Sequence, residues 1–182
     1  MMVQLPLDKT LRNGKTVQLD RMQEAEGDKV RSLFNAVIVE GQTYPQKHPL
    51  SEAEFAGYWL VGDAFVIRGS LLSSPTDQTK ILAAFFIKPN FPGRCNHICN
   101  AGFIVQPEMR GLGIGRLTGE ALLELAPALG YSAIMFNLVF ATNTASIQLW
   151  KSLNFEIIGC IPNAVRLEDQ TVDALIFYRS LV

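Results

Sequence analysis

Hydrophobic and polar positions change period repeatedly along this chain, and each change marks an element. Thr16 to Met22 alternates like a half-buried strand. From Glu24 to Glu40 the spacing lengthens, so that Val30, Leu33, Phe34, Val37 and Ile38 share one face of a helix that Gly41 can end. Thr43-Tyr44-Pro45 and His48-Pro49 mark a loop. Ser51 and Glu54 then form a capping box for a short helix through Trp59. Ala64 to Ile67 and Ile81 to Ile87 are strands, the second stopped by Pro89 and Pro92. Between them, Leu71 to Thr79 is rich in Ser and Pro and is the expected flexible tip. Asn100 to Val105 is a central strand, and Arg116 to Leu129 a helix with Leu117, Ala121 and Leu125 inward. Pro127 should kink or fray its last turn. Ala133 to Val139 is a strand and Thr144 to Leu153 a short helix. Phe155 to Ile161 and Val172 to Arg179 close the sheet as an antiparallel pair around a loop from Pro162 to Gln170.

This order predicts an α/β fold: one mixed sheet of seven strands with helices on both faces, in a single domain over 1–182. No repeat, low-complexity tract or linker divides it.

The chemistry concentrates in Arg110-Gly111-Leu112-Gly113-Ile114-Gly115, between the strand ending at Val105 and the helix that starts near Arg116. Glycines let a backbone turn sharply and approach an anion. The following helix aims its unpaired N–H groups and positive dipole end at that anion. Arg110 and Arg116 can add charge, so the stretch predicts a diphosphate-bearing cofactor. A nucleotide P-loop would need Lys-Ser/Thr after the last glycine, and Arg116-Leu117 stands there. A dinucleotide fingerprint would need G-x-G-x-x-G in an early βαβ unit, and the spacing here is G-x-G-x-G, far along the chain.

Composition narrows the class. Of the 182 residues, 48% are hydrophobic and 18% charged, which excludes a disordered chain and allows one sizeable core. A net charge of −1 offers no field to recruit nucleic acid or an anionic membrane. No apolar run reaches membrane-spanning length. Cys95, Cys99 and Cys160 are odd in number, and no secretory leader or glycosylation sequon is evident, so a cytoplasmic location is expected. Cys95, His97 and Cys99 could approach zinc, but a structural site wants four ligands and the other Cys and His are remote; no metal is expected.

The Arg-x-x-Gly-x-Gly turn after Val105-Gln106-Pro107 resembles the acetyl-CoA motif of the GCN5-related N-acetyltransferases. A later segment, Asn143 to Phe155, is similar to that family's second motif, with Asn154 replacing a helix-ending Gly. Asn tolerates the left-handed conformation needed there. The resemblance implies a mostly antiparallel sheet whose central strands part after the cofactor loop. It implies acetyl-CoA as co-substrate, backbone bonds to its pantetheine arm from Phe103, Ile104 and Val105, and diphosphate contacts from Arg110, Gly111, Leu112, Gly113, Ile114, Gly115 and Arg116. Asn143 would bond the arm from the other side or cap its own helix, two compatible roles. Many members place a Tyr general acid where this chain has Trp150, and Trp supplies no useful proton. Tyr44 and Tyr178 are candidate substitutes.

Further segments resemble the fungal azetidine-2-carboxylate N-acetyltransferases, which act on proline analogues. They are Gly41 to Gln46, Ile87-Lys88-Pro89-Asn90, Cys99 to Phe103 and Phe136 to Phe140. That likeness implies a small amino acid-like amine as acceptor, contacts from Asn100, Asn137 and Leu138, and a homodimer. Asn100 would orient the substrate, and N–H groups at Asn137 and Leu138 would bind its carboxylate. Amides in place of Lys or Arg are expected to avoid overbinding that anion. The loops Thr43 to Leu50 and Pro162 to Gln170 are expected to cover the site. Acetylation of protein amines, and a catalytically silent acetyl-CoA-binding regulator, stand as alternatives.

Overall fold

The computed structural model describes residues 3–69 and 80–182, so the expected tip from Leu71 to Thr79 lies outside the described residues. In chain order the elements are β1 (Leu7–Thr10), β2 (Thr16–Arg21), α1 (Gly27–Glu40), α2 (Glu52–Trp59), β3 (Asp63–Arg68), β4 (Ile81–Pro89) and β5 (Ile98–Val105). They continue with α3 (Ile114–Ala128), β6 (Ala133–Phe140), α4 (Thr144–Ser152), β7 (Glu156–Arg166) and β8 (Thr171–Ser180).

One 8-stranded sheet runs in the order β1-β2-β3-β4-β5-β6-β8-β7. Every pairing is antiparallel except β5 with β6. The expected count of seven falls one short, and the added strand is β1. It is four residues long with a half-buried, half-exposed alternation, too brief to register as a period. Its sequence signal was Asn13-Gly14, a hairpin turn between Thr10 and Thr16 in which Gly14 takes φ 80°.

The other end also differs. The expected loop from Pro162 to Gln170 is largely strand: β7 runs on to Arg166, with an irregularity between Ile161 and Val165. Only Leu167 to Gln170 turns, closed by Leu167 N–H donating to Gln170 O at 2.8 Å. Pairing with β8 accommodates Pro162 at that irregularity, away from a ladder position that would need its N–H.

Two layers of helix cover the sheet. Val30, Phe34, Val37 and Ile38 of α1 and Phe55 and Trp59 of α2 bury against Val66, Ala84, Phe86 and Ile104. On the opposite face Leu117, Ala121, Leu122 and Leu125 of α3 and Trp150 of α4 bury against Phe65, Ile67, Phe85 and Phe136. Each large apolar side chain buried in this way contributes roughly 1.5–3 kcal/mol. The α3–α4 contact is tight at Gly119, where a Cβ would stand 2.5 Å from Leu153 Cδ1 and 3.2 Å from Trp150 Cζ3. Helix ends follow the sequence. Gly41 (φ 70°) ends α1, Ser51 and Glu54 cap α2 reciprocally, and Asn154 takes φ 58° after α4. Pro127 lies inside the last turn of α3, which stops one residue later.

A buried charge ties the N-terminal hairpin to the sheet. Arg68 donates to both carboxylate oxygens of Glu26 (2.7 and 2.8 Å), to Asp20 Oδ2 (2.7 Å) and to Arg21 O (3.2 Å). Burial raises the Glu26 pKa, but hydrogen bonds from Arg68 and Gln23 N–H outweigh it and leave a net lowering. A carboxyl with a lowered folded pKa adds stability that is present above its ordinary value of 4.5 and lost as pH falls through the folded value. Arg68→Met should cost about 3–5 kcal/mol in urea unfolding near neutral pH, because it strands two carboxylates. The difference from wild type should shrink as the pH is taken below the ordinary Glu26 value.

Candidate active site

The site begins where β5 and β6 part. Only Ile98 with Ala133 and Cys99 with Ile134 pair between them, although each strand runs six residues further. On its other side β5 is fully paired with β4. Asn90 N–H donates to Ile98 O, and Gln106 N–H donates to Leu82 O, which fixes the antiparallel phase. Even-numbered residues of β5 therefore turn their backbone groups to β4, and Ala101, Phe103 and Val105 turn theirs into the gap. This corrects the expectation for Ile104: its backbone faces β4 and its side chain is buried in the α1 layer.

The opposite wall is shaped by a bulge. Phe136 pairs with Phe177 and Val139 with Leu175, so Asn137 and Leu138 together oppose one residue of β8. A bulge withdraws backbone groups from the ladder and re-aims side chains. Asn137 and Leu138 thus sit at a break in pairing on both sides of β6. The Asn137 amide has a protein partner: it donates to Asn90 Oδ1 at 2.6 Å and accepts from Asn90 Nδ2 at 2.8 Å. That reciprocal pair bridges over β5, from the end of β4 to β6.

Between the walls lies a cavity of about 390 Å³. Asn100, Asn137, Leu138, Phe103 and Asn143 all line it, so the structure brings these expected residues together. Asn100 Oδ1 accepts from Ala101 N–H at 2.8 Å, which leaves its amide N–H₂ to the cavity side. Asn143 caps α4, its Oδ1 accepting from Ser146 N–H at 3.1 Å, and lines the cavity as well. Thr43, Tyr44 and Pro45 cover one side as expected, but nothing from Pro162 to Gln170 reaches it. That second loop became strand.

Tyr44 is the buried hydroxyl of the site. It donates to Phe103 O at 2.9 Å, directly onto a carbonyl that faces the gap. Burial, with the neighbouring Tyr58, raises its pKa well above the usual value, so it stays protonated. Room for it depends on Gly102, where a Cβ would stand 2.5 Å from Phe86 and 3.0 Å from the Tyr44 oxygen. The other candidate, Tyr178, is not among the lining residues and sits in β8 opposite Met135 and Glu156. Trp150 packs beneath the cavity, 4.5 Å from Phe136 and 5.0 Å from Phe103 between ring centres.

Electrostatically the cavity is one-sided. Its described lining holds no Asp, Glu or His, and one formal charge, that of Lys88. The expectation of amides in place of a cation is corrected here, for Lys88 stands opposite Asn100 in the β4–β5 register. Sequence reasoning quoted Lys88 and Asn90 within a motif and gave neither a role. Strand parity would have found Lys88: it follows Phe86 at a spacing of two, on the α1 and α2 face.

Beyond the gap the chain makes its glycine turn. Gly111 and Gly113 take φ 76° and 87°, and open space lies beside both. Gly113 is the N-cap of α3 and has no side chain to occupy the first N–H groups, and no acidic residue lies in that turn. Those donors over open space fit a diphosphate. Ile114 contributes only backbone, since its side chain is buried. Gly115 packs near Val105 and Leu149, and Leu112 is exposed. Arg110 pairs with Glu40 (2.9 Å), and Arg116 with Glu120 (2.8 Å) and Ser152 (3.0 Å). Surface pairs of this kind are weak and can exchange for a phosphate.

No group of three or more His, Cys, Asp and Glu able to hold a metal occurs among the described residues. Cys99 is buried, and burial pushes its thiol up to about 12, so it is neither ligand nor nucleophile near neutral pH. Cys95 and Cys160 are exposed; partial loss of solvent around the sulfur and then the Asp173 carboxylate, 3.7 Å away, raise the Cys160 pKa. Native protein at pH 8 should therefore take up maleimide at Cys95 first, at Cys160 more slowly, and at Cys99 only after unfolding, as read by peptide mass spectrometry.

Comparison with known proteins agrees with this geometry. Residues 39–155 match the acetyltransferase (GNAT) family. The N-acetyltransferase aca1 of Schizosaccharomyces pombe is 53% identical over 157 residues, covering 80% of this chain and 75% of that protein. A GCN5-related N-acetyltransferase from Kribbella flavida superposes with TM-score 0.80 at 26% identity, covering 90% of this chain and 97% of its own. A phosphinothricin acetyltransferase from Sinorhizobium meliloti, solved with acetyl-CoA, shares the fold at TM-score 0.80 and 18% identity, covering 90% of this chain and 88% of its own.

Proposed function

This chain belongs to the acetyltransferase (GNAT) family and is an acetyl-CoA-dependent N-acetyltransferase, and from that premise we propose that its acceptor is a small amino acid-like amine, with proline analogues such as azetidine-2-carboxylate as the class. One observation carries the reading: Asn100, Asn137 and Leu138 meet at a cavity of about 390 Å³ at the strand parting, with Tyr44 and Pro45 on one side. A volume of that order suits a small molecule.

Acetyl-CoA supplies the activated acyl group; the chain supplies placement and protons. The turn from Gly111 to Gly115 and the first N–H groups of α3 hold the diphosphate. Backbone groups of Ala101, Phe103 and Val105 face the parting, where an added arm can pair like a strand. Asn100 orients the acceptor nitrogen from the β5 wall, while the N–H groups of Asn137 and Leu138 bind the acceptor's carboxylate from the β6 wall. The lining offers no carboxylate or imidazole, so the amine gives its proton to water. Tyr44 remains protonated with its one O–H held by Phe103 O, so it fixes that carbonyl, and the departing thiolate takes its proton from water. A homodimer is part of the proposal: β7 is an edge strand that exposes Ile157, Ile158 and Ile161, a surface a second copy can cover. A one-chain mass by light scattering would count against that assembly.

A thiol-release assay with azetidine-2-carboxylate, proline, lysine and a peptide panel tests the acceptor. Turnover of the cyclic amino acids is expected; turnover of peptides alone would overturn the class, and CoA binding without any turnover would leave a silent binder. Gly113→Val should abolish CoA binding by calorimetry while the fold persists, because φ 87° is denied to a β-branched residue.

The Asn90–Asn137 bridge makes a separate prediction. Asn90→Ala and Asn137→Ala should each lower kcat/KM for the acceptor about tenfold with CoA binding unchanged, and the double variant should be no worse than either single one. Additive losses would show that the two amides act apart.

A further inference from the structure

Lys88 is the group the proposed mechanism leaves unused. It stands in β4 two residues beyond Phe86, in the cavity wall and opposite Asn100. Its ammonium donates to Tyr58 O at 3.2 Å. It also lies 4.7 Å from the centre of the Tyr58 ring and 4.8 Å from that of Phe86. A carbonyl takes one of three N–H donors, and two ring faces stabilise the charge without neutralising it. Among the described residues no carboxylate pairs with it. Burial alone lowers its pKa, the mark of a cation drawn from water without a counter-ion.

A purely structural lysine would be cheaper as an apolar residue, since half-burying an uncompensated charge costs stability. The missing partner therefore belongs to something that enters the cavity. Because Lys88 shares its face with Asn100, an anion on the ammonium lies beside the amide that orients the amine. An α-amino acid carries that pair of groups a few ångströms apart. We propose that Lys88 supplies the charged partner of the acceptor's carboxylate, beside the N–H groups of Asn137 and Leu138, so that the site selects α-amino acids and rejects amines that lack the anion or carry a second cation. This rests on the acceptor class proposed above and deepens it. It also explains the acid-free lining: an Asp or Glu there would pair with Lys88 and cancel the selection.

The bond is charge-assisted, and losing it should cost ~10- to 100-fold in acceptor affinity. The test compares acids with their methyl esters: azetidine-2-carboxylate, proline, alanine and methionine, each as a pair, with saturating acetyl-CoA. Wild type should favour each acid. Lys88→Met and Lys88→Gln should lower the acid-to-ester ratio of kcat/KM at least ~10-fold, chiefly through KM for the acid. Lys88→Arg keeps the charge but cannot act as a base, so it should retain most of the ratio. Equal losses for acid and ester would reveal a merely structural lysine. A ratio kept by Lys88→Met, or a wild type that prefers the esters or acetylates only peptide amines, would overturn the proposal.

If only the non-cyclic acids turn over, the preference for proline analogues falls while the ratio still reads Lys88. Calorimetric titration of the same acids and esters into CoA-saturated protein gives an answer without turnover. Acids should bind wild type more tightly than esters and lose that advantage in Lys88→Met. Acids that bind wild type no better than esters would overturn the anchor.

Discussion

The constraint on which the rest depends is the parting of β5 from β6 after two paired positions. A sheet strand that loses its neighbour strands a row of N–H and C=O groups, and buried backbone groups without partners are costly. The fold meets this locally on both walls. On β5 the Tyr44 hydroxyl takes the Phe103 carbonyl, and the Asn100 side chain takes the Ala101 N–H. On β6 a bulge breaks the ladder with β8 at Asn137 and Leu138. The groups left over are those an extended arm and a small acceptor can satisfy. Site and gap are thus one feature, and the side chains around them hold it open.

What holds the gap apart is packing. Trp150, Phe136, Phe103 and Phe155 form a contiguous ring cluster below it, with centres 4.5 to 6.0 Å apart. Gly119 lets α3 approach that cluster closely, and Gly102 lets Phe86 and Tyr44 lie over the strand. Trp150 stands where many relatives are expected to carry an acid, and its position in the cluster gives it a mechanical role. Its bulk fills the space between the β5 and β6 walls, which a smaller phenol would leave looser.

Legibility in the sequence follows from range. Elements with a strong period were visible: α1 from its apolar stripe, α2 from its capping box, and the antiparallel strands from their runs. The glycine turn was visible because its requirement is local, two residues at positive φ before an uncapped helix. β1 was missed because four residues carry little period, and β7 was cut short because Pro162 reads as a stop where the strand passes it at a bulge. In the site, Asn100, Asn137 and Leu138 came from likeness of motif. The Asn90–Asn137 bridge joins residues 47 apart and has no local signature. Lys88 was quoted in a motif without a role, because only its registered neighbour Asn100 and the two rings place it at the cavity.

The two positive features of the molecule divide the work by kind of charge. The uncapped start of α3 presents backbone dipoles, which are fixed and cannot titrate, and suits a diphosphate that stays bound by contacts spread over the whole turn. Lys88 presents a single full charge inside an apolar wall, where one ion pair counts for more than on the surface. The first grips any CoA regardless of what the acyl group meets. The second is sensitive to the acceptor alone. On that proposal the two reactants bind at opposite ends of the same strand parting, and Asn100 and Tyr44 line the cavity with Lys88.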